Sequence, residues 1–299
     1  MKIVIAGGSG FLGEPLVRRL VARGDEVVVL SRNAAKVKAG RGVAWNGRSH
    51  GPWTAEVDTA DAVINLAGEN IAEGRWTEER KKRLVESRVQ STRALVDALR
   101  RERDRPRALL NASAVGYYGN RGDELLDESA KRGDGFLAEL VARWEETAKE
   151  AEEFARVAIL RLGVVLAADG GALAKLLPPF RMGAGGPIGS GKQWMSWVSR
   201  DDAVRMFEWA LDDATIFGVY NVTAPEPVRN RDFAKALGRA VHRPALIPTP
   251  AFALRLAFGE MADEALIAGQ RVIPKHATRE GFTFEQKTLD AALRHALGK

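Results

Sequence analysis

Two periods alternate along this chain. Lys2 to Ala6 is a short apolar run closed by glycines, and from Phe11 to Ala22 the apolar residues Phe11, Leu12, Leu16, Val17, Leu20 and Val21 recur at helical spacing. Gly24 supplies the helix stop. Glu26 to Leu30 (Glu-Val-Val-Val-Leu) is apolar at consecutive positions, the pattern of a strand buried on both faces. The same beat predicts strands at Asp61 to Leu66, Ala108 to Ser113 and Arg156 to Arg161, with helices near Glu78 to Arg103 and Phe136 to Phe154. Strands alternating with helices predict an α/β fold, a Rossmann-type doubly wound parallel sheet.

Beyond Val165 the texture changes. Gly170 to Gly191 is rich in glycine and proline, Arg200 to Leu211 reads as a helix, Gly218 to Val222 as a strand returning to the sheet, and Asn230 to Val241 as a helix. Arg243 to Pro250 holds three prolines in eight residues and reads as a stiff connector, followed by a mostly helical stretch. The expected organisation is a sheet domain over 1–166, a smaller mixed substrate-side lobe over 167–242 and a small helical C-terminal domain over 243–299.

Composition removes several chemistries. With no cysteine, disulfides, thiolate catalysis and cysteine-ligated zinc are excluded, and the four histidines never recur at metal-ligand spacing, so no metal site is expected. No apolar stretch approaches the ~18 residues of a spanning helix. The N-terminus enters the first strand without a cleavage site, which predicts a cytoplasmic protein with no membrane partner. The net charge is 45 − 39 = +6. Basic and acidic residues are interleaved, and even the densest cluster, Arg100 to Arg107, contains Glu102 and Asp104. It reads as a solvated helix end rather than a nucleic-acid interface.

Gly7, Gly10 and Gly13 follow the first strand directly, and Gly8, Gly10 and Gly13 also satisfy G-x-G-x-x-G. Between a strand and a helix, the loop Gly7-Gly8-Ser9-Gly10-Phe11-Leu12-Gly13 presents backbone N–H groups to a pyrophosphate. An NAD site would carry an Asp or Glu at the end of the second strand. Ser31-Arg32 stands there instead, and a guanidinium suits the 2′-phosphate of NADP, so the cofactor predicted is NADP(H). Asp25 and Glu26 lie at the wrong end of that strand. Leu66-Ala67-Gly68 ends the third strand with little side-chain bulk. On the next helix Arg88 shares the apolar stripe of Val85, Val89, Thr92, Val96 and Leu99. It is a candidate contact to cofactor or substrate, with a buried structural ion pair as the other reading; Arg83 is the weaker candidate.

These segments, together with Asn65-Leu66-Ala67-Gly68-Glu69-Asn70-Ile71, Ser87-Arg88, Ser113-Ala114-Val115-Gly116-Tyr117-Tyr118-Gly119, Leu160-Arg161-Leu162-Gly163-Val164-Val165-Leu166 and Gly185 to Gly191, give the chain its family resemblance. Over essentially its whole length it resembles the atypical, epimerase-family branch of the extended short-chain dehydrogenase/reductases. Gly269 to Pro274 and Gly281 to Phe284 look like the domain of unknown function appended in that branch. The resemblance implies NADP(H) binding, with Val165 among the cofactor contacts, and a small or sugar-nucleotide-like substrate.

It also implies a Tyr with a Lys four residues later, and this chain lacks that pair. Tyr117, Tyr118 and Tyr220 are followed at four residues by Arg121, Gly122 and Ala224. The remaining candidates for proton transfer are Tyr117 and Tyr118, with Ser113 as hydroxyl helper. Gly116 interrupts the extended chain, so which ring points at the nicotinamide stays open, and both rings as plain pocket wall is the competing reading. Tyr118 holds the superfamily's Tyr-Gly place, which favours Tyr117 for the donor. Gly186 to Lys192 matches the start of a phosphate-binding P-loop, but Gln193 replaces the Mg²⁺-holding hydroxyl. It reads better as a substrate-side loop with Lys192, Trp194 and Trp197, or as the packing of the smaller lobe. Two functions follow: an NADP(H)-dependent oxidoreductase or epimerase-like enzyme, or a non-catalytic NADP(H)-binding sensor.

Overall fold

A computed structural model describes residues 1–101 and 107–299. In chain order the elements are β1 (Lys2–Ala6), α1 (Gly13–Ala22), β2 (Glu26–Ser31), β3 (Arg41–Ala44), α2 (Thr54–Asp58), β4 (Ala62–Asn65), α3 (Glu78–Leu99), β5 (Ala108–Ala114), β6 (Leu125–Leu126), α4 (Phe136–Lys149), β7 (Arg156–Leu162) and β8 (Val164–Ala167). There follow α5 (Gly171–Arg181), β9 (Trp194–Met195), β10 (Trp197–Ser199), α6 (Arg200–Asp212), β11 (Gly218–Val222), β12 (Val228–Arg229), α7 (Asn230–Ala240), α8 (Ala251–Phe258), a π-helical turn (Ala262–Ile267), β13 (Arg271–Val272), α9 (Lys275–Arg279) and α10 (Leu289–Ala296).

Seven strands form one parallel sheet in the order β11-β7-β5-β4-β1-β2-β3. The consecutive apolar residues of each strand serve both of its faces. Ile3, Ile5, Val27, Val29, Ile64 and Leu110 pack on one side with α1 and α6; Val4, Val28, Leu30, Val63, Leu109 and Ile159 pack on the other with α3. The predicted doubly wound sheet is present, and Gly218–Val222 is its returning edge strand. The order reverses between β1 and β4, where Ala6 is paired with Asn65. Folds of this kind bind ligands at such a switch point, outside the carboxyl ends of the strands.

Two readings change, and for Trp197 the packing alternative holds. Gly171–Arg181 is a helix despite Pro178 and Pro179, because Leu173, Leu177 and Phe180 are all buried in the smaller lobe's core. Each such burial is worth about 1.5–3 kcal/mol, together about 4.5–9 kcal/mol, which offsets the roughly 6 kcal/mol that two helix prolines cost. Trp197 is wholly buried in the same core. The basic cluster Arg100 to Arg107 lies partly outside the described residues, at 102–106, but its last member is not solvated: Arg107 is buried and donates to the carbonyl oxygens of Leu99, Arg101 and Val57. The Leu99 oxygen ends α3 and the Arg101 oxygen lies just beyond it, so Arg107 caps that end of the helix.

The chain beyond 249 spreads over three apolar clusters. Leu289, Ala292 and Leu293 of α10 complete the smaller lobe's core with Phe233 and Leu237. Ala277, Phe282 and Phe284 join the sheet core beside Trp209. Phe258, Met261 and Leu266 pack on Trp76, Leu84 and Val141 at the start of α3 and α4. No helix among the described residues is long and apolar enough to cross a membrane.

Candidate functional site

The glycine loop leaves β1 at the switch point. Gly7 has φ +77°, and a Cβ on it would lie 2.7 Å from the Leu66 carbonyl, so the loop can cross the end of β4 only without a side chain. A Cβ on Gly13 would overlap the Gly7 carbonyl oxygen and lie 2.7 Å from Gly8 Cα, which is how closely α1 packs on the loop. Gly10 differs from both. A Cβ there would meet only the Gly7 oxygen at 3.2 Å, and the residue is exposed with Ser9. The backbone N–H groups of Phe11 and Leu12 have no acceptor among the described residues. Together with the N-terminus of α1 they form a donor-lined concavity suited to an anion. Gly8 lies against Val17 and Val29, and the Phe11 ring packs on Gly170 and Gly171 just beyond β8, where Val165 is half-buried.

At the end of β2 the Ser31 hydroxyl accepts from Asn33 N at 3.1 Å. Arg32 is exposed and has no carboxylate partner among the described residues. Asp25 and Glu26 are at the opposite end, where Asp25 holds the N-terminal ammonium and Arg23. Asn65 fixes the next turn from within: buried, it donates to Thr92 Oγ1 (2.8 Å) and Asn111 Oδ1 (2.7 Å) and accepts from Ala67 N.

Arg88 lies against Gly68 and donates to the carbonyl oxygens of Leu84 (3.1 Å) and Glu69 (3.0 Å), with its guanidinium 5.3 Å from the Trp144 ring centroid. No carboxylate pairs with it among the described residues, so the ion-pair reading fails; burial draws its pKa down to about 10. Arg83 is exposed and points at the Glu69 carboxylate, which Arg80 already holds.

The three candidates for proton transfer separate. Ser113 is buried and its hydroxyl donates to Glu145. Glu145 forms a two-bond ion pair with Arg161, whose third nitrogen donates to the Tyr118 hydroxyl at 2.9 Å; that hydroxyl in turn donates to Asn221 Oδ1 at 2.8 Å. Tyr118 is fully buried with its hydroxyl saturated, and burial pushes its pKa up to about 12. Tyr117 is half-buried, carries the Arg161 guanidinium 3.5 Å from its ring centroid, and its own hydroxyl has no partner among the described residues. Of the two rings, Tyr117 is the one with a free phenol.

Glu145 and Glu264 went unremarked in the sequence, and other residues that it did mark acquire partners here. Glu145 and Arg161 lie 16 positions apart on α4 and β7, and the only signal was an arginine ending an apolar strand. Leu137 and Val141 of α4 face Gly116. Glu264 accepts from the N–H groups of Phe136 and Leu137, both at 2.8 Å, capping α4 from a segment 127 residues away. Trp194 is not a free aromatic face: Arg229 and Arg271 lie over its ring at 4.2 and 4.6 Å, and its N–H donates to Asp123. Gly186 to Lys192 is pinned by Asn230 and by residues 247–249, with no strand before or helix directly after it, so it is a packing loop rather than a nucleotide loop.

The pattern of the NAD dependent epimerase/dehydratase family matches residues 3–223, and a domain of unknown function (DUF1731) matches 249–296. The chain is 42% identical over 296 residues to the epimerase family protein Mb2239 of Mycobacterium bovis, covering 98% of this chain and 97% of that one. It is 36% identical over 297 residues to the human epimerase family protein SDR39U1, covering 98% and 99%. The crystal structure of human SDR39U1 (isoform 2) with NADPH superposes with a TM-score of 0.88 at 35% identity, covering 100% of both chains. With a sheet, a glycine loop and a C-terminal segment that all match, the chain belongs to the NAD dependent epimerase/dehydratase family, in its epimerase-family branch with the appended domain of unknown function.

Proposed function

We propose that this chain binds NADP(H) and acts as an oxidoreductase on a small molecule. The observation that carries the cofactor reading is Arg32, a guanidinium at the end of β2 with no partner of its own, where an NAD site would need a carboxylate. The residues fit the group: the space left by the missing Gly10 side chain and the free N–H groups of Phe11 and Leu12 suit the pyrophosphate, and Ser31 and Arg32 suit the 2′-phosphate. That human SDR39U1 was crystallised with NADPH supports the choice. Bound here, the dinucleotide would supply or take up a hydride.

The chain's own part is to orient and to handle the proton. Leu66, Ala67, Gly68 and Val165 flank the groove, and Tyr117, clamped by Arg161, carries the phenol that exchanges a proton with the substrate oxygen. One observation favours a second reading, a non-catalytic NADP(H) sensor: Leu137 and Val141 supply neither a phenol nor an ammonium where α4 faces Gly116.

Calorimetric titration with NADPH and NADH tests the cofactor. NADPH binds more tightly, and Arg32→Ala weakens NADPH alone by about 10- to 150-fold, the worth of a charge-assisted hydrogen bond. Equal affinities for both cofactors in the unmutated protein sink the reading. Oxidation of NADPH against a panel of carbonyl compounds separates enzyme from sensor.

A further inference from the structure

Helix α8 is apolar, yet none of its residues is buried. Phe252 and Leu256, one turn apart on one face of it, are 72% and 75% exposed. The connector before it adds Leu246 and Ile247, and the residue after α5 adds Met182, each more than half exposed. Backbone contacts join these segments into one strip. Ile247 N donates to the Gly185 carbonyl oxygen at 3.2 Å and Thr249 N to that of Pro187 at 2.9 Å, while a Cβ on Gly189 would lie 3.6 Å from the Ala251 Cβ. Five of the nine large apolar side chains exposed among the described residues stand here, so this is a patch rather than scattered exposure.

The strip carries charge of one sign. Residues 171–192 and 242–259 hold Lys175, Arg181, Lys192, Arg243 and Arg255 and no Asp or Glu. Arg243 runs beside Gly183 and donates to the Arg181 carbonyl oxygen, and neither guanidinium has a carboxylate partner among the described residues. The acids at the border are occupied. Asp263 accepts from Arg255 at 2.8 Å, Glu260 pairs with Lys81, and Asp232 lies 3.9 Å from Arg231.

We propose that this strip docks on an anionic bilayer surface, with Met182, Leu246, Ile247, Phe252 and Leu256 entering the boundary between headgroups and acyl chains and Arg181 and Arg243 meeting lipid phosphates. An apolar helix face bordered by cations suits that interface and needs no spanning segment. A second copy of the chain fits less well, because a two-fold interface sets the same five cations against themselves with no carboxylate to meet them. A nucleic acid would use the cations and leave the apolar side chains in water.

Co-sedimentation of the full chain with vesicles of equal parts phosphatidylcholine and phosphatidylglycerol, against vesicles of phosphatidylcholine alone, tests this. Binding is expected to the mixed vesicles and to weaken with added salt. Arg181→Gln and Arg243→Gln each weaken it about fivefold, and Phe252→Ser/Leu256→Ser about tenfold or more. Phe217→Ser, at an exposed apolar position outside the strip, leaves it unchanged. All of these positions are at the surface, and thermal melts check that each variant folds. Failure of the unmutated chain to bind the mixed vesicles overturns the proposal whatever the variants do, as does binding that the Phe252→Ser/Leu256→Ser protein retains in full. Light scattering that shows a dimer which this double variant dissolves also overturns it, since a second copy then covers the strip.

Discussion

Arg161 and Glu145 meet through two N–H···O bonds of 2.7 Å each, with 3% and 2% of their side chains exposed. The pair holds Ser113 on one side and the Tyr117 and Tyr118 rings on the other. Removing one partner strands a charge, whereas removing both strands none. Glu145→Leu alone is expected to lower stability by about 3–5 kcal/mol, and the double variant Glu145→Leu/Arg161→Met to recover much of that loss. Urea unfolding of the three proteins checks it, and a double variant worse than the single one would refute the account.

The glycines of the loop should fail in different ways. Gly13→Ala forces a Cβ onto the Gly7 carbonyl oxygen and should destabilise the fold by about 1–3 kcal/mol. Gly10→Val meets little protein, so its melting temperature should stay close to that of the unmutated chain while binding of both NADPH and NADH is lost. Thermal melts paired with calorimetry distinguish the two. A Gly10→Val protein that still binds cofactor would remove the pyrophosphate from this loop.

Replacing the tyrosines should separate chemistry from packing. Tyr117→Phe deletes a free hydroxyl and is expected to cut turnover by about 10² to 10⁴ with NADPH affinity unchanged. Tyr118→Phe deletes a buried hydroxyl that both Arg161 and Asn221 use, and should cost about 1–3 kcal/mol of stability. Steady-state kinetics and denaturation on both variants decide it; unimpaired turnover in Tyr117→Phe leaves the proton to water or substrate.

Acid should loosen the β3 edge only well below neutrality. Hydrogen bonds from Arg41 and Lys2 hold the Glu56 carboxyl down to about 2 from an ordinary 4.5. A carboxylate depressed by folding stabilises the protein fully above its unfolded pKa and loses that contribution as pH falls toward the folded one. The stability gap between the unmutated protein and Glu56→Gln should therefore be constant near neutrality and close between about pH 4.5 and 2. A gap that persists unchanged at pH 2 contradicts the ion-pair origin.

Much of the fold was legible because its signals are local. A run such as Val27-Val28-Val29-Leu30 has one comfortable place, inside a sheet covered on both faces, and a glycine loop between strand and helix announces its own geometry. The site was legible as far as it depends on backbone: Gly7, Gly10 and Gly13 can be read for what a side chain would obstruct. What escaped depends on partners distant in sequence. Pro178 and Pro179 argue against a helix until Leu173, Leu177 and Phe180 are seen to share a core with α7 and α10. Trp194 and Trp197, three residues apart, look equivalent until one is enclosed and the other set between two arginines. Glu264 reads as a surface acid until the N-terminus of α4 is placed against it.

The dispersal of the chain beyond 249 over three cores also has a kinetic side. Emerging from a ribosome, the sheet strands and α1 through α7 are complete before α10 exists, yet Phe233, Leu173 and Trp197 must wait for Leu289 and Leu293 to shut their cluster. The same delay applies to Asp202, whose carboxylate receives the N–H groups of Glu285 and Gln286 at 2.9 Å. A nascent chain of this kind passes through a long interval with finished secondary structure and open apolar seams, the state in which chaperones capture clients and aggregation competes with closure.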